Sequence, residues 1–315
     1  MGRTKTLYIS DLDGTLLNTD AELSGYATDR LNALIQNGLC FSVATARTFA
    51  SAGHLISGLP LSIPVVLMNG VLVYDIGEKN FLQVHTIPPK TVAAVIGTLK
   101  MFNATGFMYE LKGEKFMTYY ESLESKPLRD FVEERVVRFN KRFEHTADFA
   151  YVPRDGIIYL TLYDLPEKLR PVHDALAAMP GLNLTMYKDN YTPDLWFLEI
   201  FNEKASKQNA LAFLRERYGF GRIIGFGDNL NDLPMFKECD VSVAVENANE
   251  EVKAAADYIC GANYDDGVVK WIEQDVLGLA GAPGTTETPE TPGVPGVPGT
   301  PGTPGASAIA ACKED

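Results

Sequence analysis

With 315 residues, 46% of them hydrophobic and 22% charged, the chain has the composition of a soluble globular protein with room for two lobes of ordinary domain size. A formal net charge of −13 excludes a general nucleic-acid binder, whose phosphate backbone partner demands a basic surface. The same charge leaves open a small phosphorylated ligand, which one metal and one or two cationic side chains can neutralise locally. Cys40, Cys239, Cys260 and Cys312 are too scattered for a metal-type pair, and three of them lie in or beside apolar stretches, which fits a reducing, cytoplasmic setting. The opening residues lack the apolar core of a secretory signal, so no membrane partner is expected.

The first predicted element is an apolar strand through Leu7, Tyr8 and Ile9 that ends abruptly in Asp11-Leu12-Asp13-Gly14-Thr15. Two carboxylates one residue apart at the exit of a buried strand are costly unless something uses them. At strand spacing they face opposite sides, so they share a site only if the backbone bends, and Gly14 is placed to allow it. A metal cation would offset their repulsion and leave one carboxylate to attack an electrophile. The plain alternative is a strand ending in an Asp-Gly turn.

Next comes a helix from a Ser24 cap to about Asn37, stopped by Gly38. A second buried strand, Cys40 to Ala44, runs into Thr45-Ala46-Arg47, and after a broken helical stretch a third, Val65 to Met68, ends at Asn69-Gly70. Strands alternating with helices indicate a parallel, doubly wound sheet, in which ligands bind beyond the carboxyl ends of the strands. Asp11, Thr45 and Asn69 all lie at such ends.

From about Val84 to Asn190 the rhythm changes to helix, paired short strands and helix, with strands expected at Ile157 to Tyr163 and Leu184 to Tyr187 and a helix from Glu167 to Met179 between them. This reads as a separate α+β lobe inserted into the core, and any roof over the site must come from it. The α/β alternation is expected to resume with a strand at Trp196 to Phe201 and a helix opened by Lys204-Ala205-Ser206-Lys207. The buried strand Arg222 to Phe226 then ends in Gly227-Asp228-Asn229-Leu230-Asn231-Asp232, and a strand at Val241 to Val245 with two further helices completes the folded part. A third acidic site at a strand's carboxyl end is what a metal paired with Asp11 needs, and magnesium takes such oxygen ligands.

Asp11-Leu12-Asp13-Gly14-Thr15, Thr45, Lys207 and Gly227-Asp228-Asn229-Leu230-Asn231-Asp232, in that order and spacing, resemble the four motifs of the haloacid dehalogenase superfamily. The large insertion between the third strand and the lysine makes the chain similar to the Cof-type sugar-phosphatase branch. The resemblance implies a doubly wound parallel-sheet, Rossmann-like core formed by residues 1–83 and 191–279, with an α+β cap domain over 84–190. It implies Asp11 as nucleophile, forming an aspartyl-phosphate, and Asp13 as the general acid and base. It implies Mg²⁺ held by Asp11, the Asp13 carbonyl and Asp228, with Asp232 behind. The phosphoryl group of a small phosphorylated metabolite would meet Thr45, Lys207, Asn231 and backbone amides near Leu12 and Ala46. Arg47 would reach the substrate or pair with a nearby acid. The chain departs from the family pattern at Ala46 and Gln208, where glycine is usual.

Each residue also has a plain structural reading: Thr45 as a helix cap, Lys207 as a solvated first-turn lysine, Asp232 as a cap for a helix beginning near Leu233. A phosphotransferase or mutase using the same aspartyl-phosphate, and a non-catalytic binding protein on the same fold, are the alternatives to a phosphatase. His54, His85, His145 and His173 show no ligand spacing. Residues 280–315 are rich in Gly, Pro and Thr with a short Gly-X-Pro repeat, which reads as a flexible, partly polyproline II tail. Removing residues 282–315 is expected to leave turnover intact.

Overall fold

The computed structural model describes residues 4–113, 115–139, 141–189, 192 and 194–278; the Gly/Pro/Thr-rich stretch lies outside them. Strand β1 (Thr6–Ser10) is buried along nearly its whole length, as a strand covered by helices on both faces must be. Helix α1 (Gly25–Gln36) starts where the Ser24 side chain accepts a hydrogen bond from the Ala27 N–H, and buries Ala27, Leu31 and Ile35 on one face. Strand β2 (Cys40–Val43) follows, then α2 (Phe49–Ile56) and a meander of β3 (Val65–Leu67), β4 (Leu72–Asp75) and β5 (Asn80–Val84).

The insertion runs through α3 (Pro89–Met101), β6 (Gly106–Lys112), β7 (Lys115–Tyr120), α4 (Lys126–Phe139), β8 (Glu144–His145), β9 (Ile157–Asp164), α5 (Pro166–Ala177), β10 (Leu182–Lys188) and β11 (Trp196–Asn202). The chain returns through α6 (Lys207–Tyr218), β12 (Arg222–Gly227), the short α7 (Leu233–Phe236), β13 (Val241–Val245), α8 (Glu250–Ala255), β14 (Tyr258–Cys260) and α9 (Gly267–Val276). Among the described residues no helix is long and apolar enough to cross a membrane.

The core sheet is parallel throughout, in the order β14-β13-β12-β1-β2. Strand β1 lies between β12 and β2, so two chain segments distant in sequence end side by side at its carboxyl edge. A second, six-stranded sheet in the order β10-β11-β9-β6-β7-β8 is antiparallel except for the β7–β8 pair, and forms the inserted lobe.

Two sequence expectations need correction. Among the described residues strand β3 is bridged to the core sheet, in parallel, between Ala44 and Val66; its ladder partner is β4, in an antiparallel three-stranded sheet with β5. Strand β11, expected in the second part of the core, pairs with β10 and β9 in the lobe sheet, which therefore extends to Asn202 and past the expected boundary at residue 190. The reason is the same in both cases. An apolar run buried on both faces reads alike in either kind of sheet, and periodicity does not say which partner it takes.

Candidate active site

Parallel register sets the first pair of acids beside each other. Ser10 pairs with Phe226 in the β1–β12 ladder, and the Asp11 N–H continues it by donating to the Phe226 carbonyl at 2.9 Å. Asp11 and Asp228 therefore leave adjacent strands at the same level. Past Asp11 the backbone bends as its residues require: Asp13 is extended, Gly14 takes φ +74°, and the Leu17 N–H closes the loop onto the Leu12 carbonyl at 2.9 Å.

Lys207 reaches the acids because it opens α6 on the same face as Ala210, Leu211 and Leu214, all buried. It is itself only 1% exposed, and its Nζ donates to Oδ1 of Asp11 at 2.8 Å and to Oδ1 of Asp232 at 2.6 Å. A cation at a helix N-terminus opposes the helix dipole, and these two carboxylates offset that. Burial would lower the Lys207 pKa, but Asp11 and Asp232 outweigh it and raise the value, so the ammonium stays charged. The reading of Lys207 as a solvated lysine is excluded.

Asp232 serves two purposes. Its Oδ2 accepts from the Asp228 and Asn229 N–H groups at 3.0 and 3.1 Å, closing a capping box with Asn229, while Oδ1 faces Lys207. Contrary to expectation, it makes no side-chain cap for the helix at Leu233. Thr15, within the first motif but given no role by the sequence, donates from Oγ1 to Oδ1 of Asp228 at 2.9 Å. Thr45 is not the cap of α2, which is Thr48; its buried hydroxyl accepts from the Arg47 N–H at 3.1 Å. Arg47 forks onto Asp13, with Nε and Nη2 each 2.6 Å from a carboxylate oxygen, and its Nη1 donates to the Ser51 carbonyl at 3.1 Å. Of its two expected roles the geometry gives the pairing with an acid. Ala46 and Gln208 are not among the positive-φ residues, so neither place requires a left-handed backbone.

Asn231 is buried, with Nδ2 3.3 Å from Oδ1 of Asn69, and its own Oδ1 has no hydrogen-bond partner among the described residues. Asn69 in turn donates from Nδ2 to the Tyr159 hydroxyl at 3.0 Å and to Oε2 of Glu199 at 2.5 Å, which links the core to the lobe. Glu199 and Tyr159 escaped sequence analysis. The available signal was a lone acid in the apolar run Trp-Phe-Leu-Glu-Ile-Phe-Asn, but its partners come from elsewhere in the chain.

One oxygen from each of Asp11, Asp228 and Asp232 falls within 4.8 Å of the others, all three residues being buried. Burial pushes the Asp11 carboxyl up to about 7; Lys207 opposes that and Asp232 adds to it. Burial, then Asp232 and Asp11, raise Asp228 well above the ordinary carboxylate range. Three clustered carboxylates set against the single ammonium of Lys207 leave negative charge that a hard divalent cation would neutralise, and the all-oxygen donor set suits one. Asp11 and Asp228 fit as direct ligands. Asp232, already accepting three hydrogen bonds, fits as their support.

The sequence profile of the haloacid dehalogenase-like hydrolases matches residues 8–272. The chain belongs to this family. Among its relatives, the 5-amino-6-(5-phospho-D-ribitylamino)uracil phosphatase of Bacillus subtilis is 27% identical over 270 residues, covering 85% of this chain and 94% of that protein. The pyridoxal phosphate phosphatase of Escherichia coli is 24% identical over 279 residues, covering 83% and 95%. Among solved structures, a haloacid dehalogenase-like hydrolase from Bacteroides thetaiotaomicron superposes with a TM-score of 0.71 at 25% identity, covering 86% of this chain and 99% of that one. A Thermotoga maritima protein gives 0.67 at 29% identity, covering 85% and 96%. This haloacid dehalogenase-like chain is thus a hydrolase by family, with the family's acids gathered at the carboxyl edge of its parallel sheet.

Proposed function

We propose that the protein is a magnesium-dependent phosphatase acting on small phosphorylated metabolites through an aspartyl-phosphate on Asp11. The observation that carries this reading is the state of Asp11. Lys207 engages Oδ1, while Oδ2 has no hydrogen-bond partner among the described residues, and Asp11 lines a cavity of about 680 Å³ between core and lobe. A carboxylate oriented at one oxygen and available at the other is the arrangement a nucleophile needs.

In the first half-reaction an Asp11 oxygen bonds to phosphorus as the ester P–O bond breaks, and Asp13 gives its proton to the departing alkoxide. In the second, Asp13 takes a proton from water, the water oxygen bonds to phosphorus, and the Asp11–phosphorus bond breaks to release orthophosphate. Acid–base help of this kind contributes about 10² to 10⁴ in rate. Lys207, the Thr45 hydroxyl, the Asn231 amide and the backbone N–H groups of Leu12 and Ala46 supply donors for the phosphoryl oxygens. Magnesium, bound by Asp11, the Asp13 carbonyl and Asp228, would supply charge neutralisation between nucleophile and phosphoryl group. Arg47 orients Asp13 rather than the substrate, and the inserted lobe acts as the cap that shields the site from water.

Sugar phosphates are the favoured substrates. A phosphorylated cofactor such as pyridoxal phosphate, named for the E. coli relative, is the further candidate. On a panel of such esters the wild type is expected to release phosphate with magnesium and not without it, and Asp11→Asn to lose that release by at least about 10³-fold. Full activity in that variant would overturn the nucleophile assignment.

A further inference from the structure

The cavity has acids in its floor, and its roof carries cations beside the acids Asp130, Glu134, Asp189 and Glu199. Asp11, Asp13 and Asp228 line it from the core, and Arg135 and Lys141 line it from the lobe. Lys141 is 9% exposed, a burial that lysine rarely tolerates without an acid partner. Among the described residues no carboxylate pairs with it. Its Nζ sits 4.5 Å from the centroid of the Tyr109 ring and 5.1 Å from that of Phe143, and ring faces replace only part of the lost hydration. Burial, with Arg135 adding its repulsion, holds the Lys141 pKa well below the ordinary value.

Arg135 lies over the Phe131 ring at 3.4 Å and meets Glu134 at 3.1 Å on its more exposed side. Glu134 pairs with Arg138 as well, at 3.7 Å, and Asp189 adds its attraction to Arg135, whereas among the described residues no acid pairs with Lys141. Beside them Phe131, Tyr163 and Phe197 make an aromatic wall, with centroids 4.5 Å apart for Tyr163–Phe197 and 5.6 Å for Phe131–Tyr163. All three line the same cavity.

We propose that Lys141 and Arg135 form a second anion subsite, so that the preferred substrate is a phosphate ester whose leaving group carries a further oxyanion, a carboxylate or a second phosphate, remote from the ester. The inference rests on the phosphatase reading, which places the ester at Asp11. The incoming anion supplies the partner that Lys141 lacks, and the aromatic wall packs the body of the leaving group. Closing a buried, uncompensated cation with an anion is selective, because a neutral analogue leaves the ammonium desolvated and unpaired.

The test compares matched esters in magnesium buffer: para-carboxybenzyl against para-carbamoylbenzyl phosphate, and para-xylylene bisphosphate against para-(hydroxymethyl)benzyl phosphate. The wild type is expected to favour the anionic member of at least one pair by about tenfold or more in kcat/KM, mainly through KM. The pair that shows it tells carboxylate from phosphate. In Lys141→Met and Arg135→Met that ratio is expected to fall toward one. A ratio near one in the wild type, or a ratio retained in both variants, overturns the subsite.

Calorimetric binding of para-carboxybenzyl phosphonate and its amide reads the same discrimination without turnover. If the wild type hydrolyses no ester yet binds the acid more tightly and loses that preference in Lys141→Met, the phosphatase reading fails and the subsite stands. Equal binding of acid and amide by the wild type overturns the subsite even if hydrolysis is fast. Lys141→Met removes a buried charge with no acid partner, so its Tm is expected not to fall. Lys141→Gln provides the second variant should the first not fold.

Discussion

The Nζ of Lys207 lies 2.8 Å from Oδ1 of Asp11, joining the first turn of α6 to the end of β1 across 196 positions of sequence. The same ammonium holds Asp232, and all three groups are buried. Removing the cation therefore leaves two desolvated carboxylates facing each other. Lys207→Met is expected to destabilise the metal-free protein by about 3–5 kcal/mol. Urea unfolding measures this, and a change below about 1 kcal/mol would show that Lys207 does not offset the buried carboxylates.

Magnesium should stabilise the folded protein through the three acids. At a hundredfold excess over Kd the gain is about 2.7 kcal/mol, and it should be largely lost in Asp228→Asn. Because Asp11 and Asp228 hold protons more tightly than ordinary carboxylates, the cation must displace them, so its affinity rises with pH through about 7. Thermal shift against magnesium concentration at several pH values checks both; an undiminished shift in Asp228→Asn would remove that residue from the ligand set.

Glu199 gives a pH signature away from the metal ligands. Burial pushes its carboxyl up to about 7, against the pull of the Tyr159, Tyr187 and Asn69 donors. A folded-state value above the unfolded one means that the folded protein binds this proton more tightly. The stabilisation is present below the unfolded value of about 4.3 and is lost as pH rises through about 7. Glu199→Gln cannot ionise, so its Tm should gain on that of the wild type between about pH 5 and about pH 8. A difference that stays flat across that range would contradict the buried, proton-holding carboxyl.

The fork from Arg47 to both oxygens of Asp13 fixes its orientation. Arg47→Met is expected to lower kcat by about 10- to 100-fold, because Asp13 loses the pair of bonds that orients it. Arg47→Lys should recover little of the rate, because an ammonium cannot make the two parallel bonds. A kcat within about twofold of the wild type in Arg47→Met would separate Arg47 from the proton transfer.

Local chemistry was legible along the chain. The Asp-Leu-Asp-Gly-Thr strand end, the Ser24 cap and the helix opened at Lys204-Ala205-Ser206-Lys207 all follow from spacing within one element, and short-range sterics and hydrogen bonds act on that scale. Partnership across elements was not. Thr15 bonding Asp228, Arg47 choosing Asp13, Asn69 bridging to Glu199, and β11 joining the lobe sheet each depend on which segments tertiary packing brings together. The sequence alone determined which residue types stand at the strand ends, because the buried strands and their polar termini are local features. Only the tertiary structure decided which carboxylate each cation serves and left Lys141 without one among the described residues, because desolvation and charge pairing are set by neighbours distant along the chain.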